Sequence, residues 1–146
     1  ASHFAPAALM PALKVYRERF RPSAQLPKSY AMAGVNAIVA PTDEEARVLF
    51  TSLQQVVIGL VTGSPGRLAP PVPRIEPLSP PVQQQVDSFL ACSFVGSPET
   101  VKRGLEDFIA RTGVDELIVA SAIFDPQARL RSCALLADAC LHDPRH

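Results

Sequence analysis

The sequence predicts an α/β fold whose parallel strands belong to a sheet larger than the chain itself. Two observations carry this reading. Apolar strand-like runs alternate with capped amphipathic helices, in the order of βαβ units. Only two such runs are convincing, too few to cover the faces and edges of a parallel sheet.

The clearest unit is "FVGSPETVKRGLEDFIARTGVDELIVAS", Phe94 to Ser121. Ser97 stands at a helix N-cap, and Pro98 takes the first helical position, where a missing N–H costs nothing. Val101, Leu105, Phe108 and Ile109 have the i, i+4, i+7, i+8 spacing of a core-facing stripe. Gly113 sits where a left-handed C-cap is wanted. "ELIVASAIF", Glu116–Phe124, then reads as an inner strand.

The other elements follow the same logic. From Pro6 to about Phe20, Leu9, Leu13, Tyr16 and Phe20 share a helical face, with Pro11 placed to start or kink the helix. "YAMAGVNAIVA", Tyr30–Ala40, is nearly uncharged and bounded by prolines, as expected of a strand buried on both faces. In "PTDEEARVLFTSLQQVVIGL", Thr42 is an N-cap with Glu45 closing a capping box, and acids fill the first turn. Its buried stripe is expected at Ala46, Leu49, Phe50, Leu53, Val57 and Leu60. Residues 62–78 form a proline-rich loop too long for a simple connector, either functional or a family-specific insertion. Ser79 is placed to cap a short helix with Val82, Val86, Phe89 and Leu90 inward. Asp125-Pro126 opens a last helix, with Leu130, Ala134 and Leu135 expected on its inner face.

Bulk composition narrows the class. Apolar residues make up 47% and charged residues 19%, a globular rather than a disordered balance. Fourteen basic residues offset fourteen acidic ones, so nothing pulls toward nucleic acid or an anionic membrane. No run approaches the ~20 apolar residues of a membrane span, and no basic n-region of a signal peptide is visible. The expected location is cytoplasmic. Cys92, Cys133 and Cys140 form no C-x-x-C, so reduced thiols are expected rather than a metal site or disulfide. The absence of a phosphate loop or dinucleotide fingerprint weighs against an independent small-ligand domain.

With "ASHF" as the tail of another strand, the chain holds about three parallel strands and four to five helices, whereas a closed eight-stranded barrel needs about 250 residues. Residues 1–146 are therefore expected to be a single partial domain.

Three segments, in order, resemble a known family: "ASHFAPAALMPALKVYRERFRPS", "AGVNAIVAPTDEEARVLFTSLQQ" and "FVGSPETVKRGLEDFIARTGVDELIVASAIFDPQARLRS". They are similar to the C-terminal part of bacterial luciferase-like monooxygenases, flavin-dependent TIM (β/α)8 barrels. The resemblance implies that "ASHF" ends the sixth barrel strand, with "AMAGVNAIVA" the seventh and "ELIVASAIF" the eighth. It also implies reduced FMN as cofactor, with deazaflavin as the alternative. A small organic substrate, a separate flavin reductase and a cofactor site at the C-terminal mouth of the barrel complete the picture. Strands one to five are not in this chain, so activity is not expected of it alone.

On that resemblance Ser2, His3 and Ser121 are the candidate cofactor contacts; no catalytic residue and no metal ligand is assigned. Ala122 and Phe124 share the strand end with Ser121, where packing competes with a ligand role. Asn36 is expected to hydrogen-bond within the barrel. The Ser97–Thr100 turn is expected at the barrel's bottom, as a cap rather than an anion site, since Glu99 would repel phosphate. Arg67, Arg74 and Glu76 either belong to a lid or lie on a solvated linker. His142, Arg145 and His146 fall in the tail. Two functional readings remain: part of a flavin-dependent monooxygenase, or a non-catalytic module that forms homo-oligomers through its open strand edges.

Overall fold

The computed structural model describes residues 5–141. After a short 3-10 turn at Pro6–Ala8, the order is α1 (Leu9–Arg19), β1 (Met32–Val39), α2 (Asp43–Val61), α3 (Pro80–Leu90), β2 (Ser93–Gly96), α4 (Pro98–Thr112), β3 (Glu116–Ala120) and α5 (Pro126–Leu141). The three strands make one parallel sheet in the order β2–β1–β3. The two runs expected to be consecutive strands thus lie side by side, from Met32 opposite Glu116 to Asn36 opposite Ala120. The expected strand tail at Ala1–Phe4 lies outside the described residues.

The strand β2 is not anticipated by the sequence reading. Four residues are too few to show a period of two. Pairing creates it: Asn36 N–H donates to Cys92 O at 2.9 Å, and Ala40 N–H to Gly96 O at 3.1 Å. The strand β3 in turn stops at Ala120, four residues short of the expected Phe124. The cause lies in α5. Val39 N–H, on the edge of β1 that a longer β3 would use, donates instead to the buried Ser132 Oγ at 2.8 Å.

In a parallel ladder, partnered residues project to the same face. Ala33, Val35, Ala37 and Val39 of β1, with Phe94 and Leu117 beside them, pack on Leu13, Val101, Leu105, Phe108 and Leu136. That face is therefore covered by α1, α4 and α5, and Phe94 meets Phe108 edge to face, 5.6 Å between centroids. The opposite face carries Met32 and Glu116, then Gly34 and Ile118. Met32 is 48% exposed and Ile118 55%. The expectation that β1 is buried on both faces fails at its N-terminal half; Asn36 and Ile38, nearer its C-terminal end, are buried.

Capping follows the sequence closely. Thr42 Oγ1 accepts from Glu45 N–H at 3.2 Å, and Ser97 Oγ from Thr100 N–H at 3.4 Å. Gly113, at φ 62°, closes α4 in the left-handed conformation, and its N–H donates to Ile109 O. Ser79 stands at the N-cap of α3 but its side chain makes no capping bond. Asp125 Oδ1 takes that role for α5, accepting from Ala128 N–H at 2.7 Å.

Several residues expected inward are exposed: Tyr16, Leu60, Phe89, Ile109, Leu130 and Ala134. Leu60 and Phe89 lie in the last turns of their helices. Tyr16 holds backbone instead, donating to Tyr30 O at 3.1 Å and accepting from Tyr30 N–H at 3.2 Å. Ile109 and Leu130 line an open groove described below.

This asymmetry has an energetic consequence. Truncating the fully enclosed Phe108 to Ala should lower the unfolding free energy by about 3–5 kcal/mol. Leu130→Ala, at a side chain 64% exposed, should change it by less than about 0.5 kcal/mol. Urea denaturation of both variants checks this, and equal losses would contradict the one-sided core.

Candidate functional site

The C-terminal ends of the strands bring three segments of chain together. After β1 comes Thr42 and the start of α2; after β2, Ser97 and the start of α4; after β3, Ser121 to Phe124. The expectation that the Ser97–Thr100 turn sits at the opposite, N-terminal end is corrected: Gly96 pairs with Val39, so the turn lies at the C-terminal end. The unrecognised strand β2 is the reason for the error.

The first two segments are locked together by Asp43. Its Oδ1 accepts from Ser97 N–H at 2.6 Å and its Oδ2 from Thr100 Oγ1 at 3.3 Å. Ser97 Oγ and Thr100 Oγ1 lie 3.1 Å apart within the same cluster. The carboxylate in the first turn of α2 thus fills the amide-rich N-terminus of α4. Gly96 makes room for it: at φ 156°, a Cβ there would stand 2.7 Å from both Asp43 Oδ1 and Thr100 Cγ2. Asp43 holds its proton less tightly than an ordinary aspartate at 3.8. The Ser97 N–H bond is the main cause, with the Thr100 hydroxyl next and Arg47, 3.9 Å away, adding to them. The sequence showed Asp43 only as a first-turn acid; no local pattern announces a bond that spans 54 positions.

Ser121 lies elsewhere. It lines a groove of about 780 Å³ between α4, β3 and α5, on the helix-covered side of the sheet, floored by Leu105, Leu117, Val119 and Leu136. Its Oγ is buried without a hydrogen-bond partner. Ser2 and His3 lie outside the described residues, as do His142, Arg145 and His146. Phe124 is exposed and Ala122 half-buried. Asn36 bonds within the fold, as expected: its Nδ2 donates to Ser93 Oγ at 3.2 Å.

The proline-rich stretch runs as an anchored strap over α2. The buried Thr51 Oγ1 donates to Val72 O and accepts from Val72 N–H, at 3.1 and 2.9 Å, and Gln55 Nε2 donates to Pro70 O at 3.0 Å. Arg74 and Glu76 pair at 4.0 Å on its exposed side and border, with Gln55 and Val72, a cavity of about 460 Å³. The described residues contain no cluster of metal-ligating side chains, and all three cysteines are free. No helix among them is long and apolar enough to cross a membrane.

Comparison with known proteins places these features in context. No model of a protein family matches the chain. It is 44% identical, over 139 residues, to a protein of Escherichia coli K12 named luciferase-like monooxygenase. It is equally identical over the same length to the uncharacterized protein YvbT of Bacillus subtilis. The crystal structure of apo-MsnO8 superposes with a TM-score of 0.76 at 28% identity. These matches cover 94% of this chain but only 41–42% of each of the three. The chain therefore spans less than half the length of the relatives it matches.

The Asp43 clamp makes a pH prediction. A carboxyl whose folded pKa is depressed stabilises above its unfolded pKa, and that stability is lost as pH falls through the folded value. Asp43→Asn should therefore melt below the wild type at neutral pH, and the gap should close in strong acid. Paired thermal melts check this; a gap that persists unchanged in acid would show that the charge of Asp43 is not what the clamp uses.

Proposed function

Given that this chain belongs with the luciferase-like monooxygenases, as a C-terminal part of them, we propose that it completes the barrel of a flavin-dependent enzyme and is not catalytic by itself. The observation that carries this reading is the sheet. Parallel strands are stable when both faces are covered, and here helices cover one face while Met32 and Ile118 stand bare on the other. A barrel gives such strands an outer face packed on helices and an inner face packed on the remaining strands.

The cofactor proposed is reduced FMN, with a deazaflavin as the alternative, used with molecular oxygen or in hydride transfer to act on a small organic substrate. The described residues do not fit the phosphate end of such a molecule. The helix N-terminus at α4, the natural anion cradle among them, already holds the Asp43 carboxylate, which would repel a second anion. Binding and chemistry are accordingly assigned to the whole enzyme. A separate reductase would supply reduced flavin, and a cytoplasmic location fits that supply.

Titrating the purified chain with reduced FMN should show no saturable binding at micromolar concentration. The full-length enzyme that contains this sequence should oxidise its substrate only when reduced flavin is present. Turnover by that enzyme without any flavin would overturn the assignment.

A further inference from the structure

We draw no further inference here: the strongest candidate, the apolar groove between α4, β3 and α5 that Ser121 and the exposed Cys133 line, lies along the strand edge that the barrel reading already uses, and nothing in the structure shows another occupant.

Discussion

A parallel strand needs hydrogen-bond partners on both edges and apolar cover on both faces, because its βαβ connections leave it no solvated side. The central strand, β1, meets the edge requirement from both neighbours: β2 pairs along its C-terminal half and β3 along its N-terminal half. Everything else follows from how far that cover extends. Helices α1, α4 and α5 enclose one face, where Val35, Val39, Val101 and Phe108 are almost completely buried. The opposite face is closed near its C-terminal end and bare near its N-terminal end. This polarity is what a wedge of barrel looks like once its neighbours are removed, and it agrees with relatives more than twice as long.

The ends of the sheet are fastened in different ways. At the C-terminal end, Asp43 ties the first turn of α2 to that of α4, which Gly96 permits by having no Cβ. At the N-terminal end, Asp115 Oδ2 accepts from Ala31 N–H and Tyr30 Oη donates to Glu116 Oε2, each at 2.8 Å, while the Arg17 guanidinium holds Gly113 O. These polar contacts join segments far apart in sequence. They do locally what neighbouring strands would otherwise do, aligning β1 and β3 and fixing the entry to each helix. One result bears on function: the amide-rich turn that would most naturally receive a phosphate is spent on an internal carboxylate.

Much of this was legible in the residues. The two apolar runs, the caps at Thr42 and Ser97, and the glycine stop at Gly113 all rest on local chemistry, which local pattern reports. What escaped depends on long-range pairing. The four residues of β2 are a strand only because β1 lies beside them, and β3 ends early only because Ser132 takes the Val39 amide. Leu130 reads as an inner residue and is exposed, since periodicity identifies an apolar stripe but not whether anything covers it. The Asp43 clamp had no local signature, because its bond to Ser97 spans 54 positions.

The most direct test concerns the edge of β3. Glu116 N–H points to Ala31 O, on the β1 side. Backbone groups alternate along a strand, so the amides of Ile118 and Ala120 face β1 and those of Leu117 and Val119 face outward. Hydrogen exchange by NMR on the isolated chain should find Leu117 and Val119 exchanging at least ~100-fold faster than Ile118 and Ala120. Equal protection of all four would mean that the ladder is already satisfied, and would contradict the account of this chain as an open piece of a larger sheet.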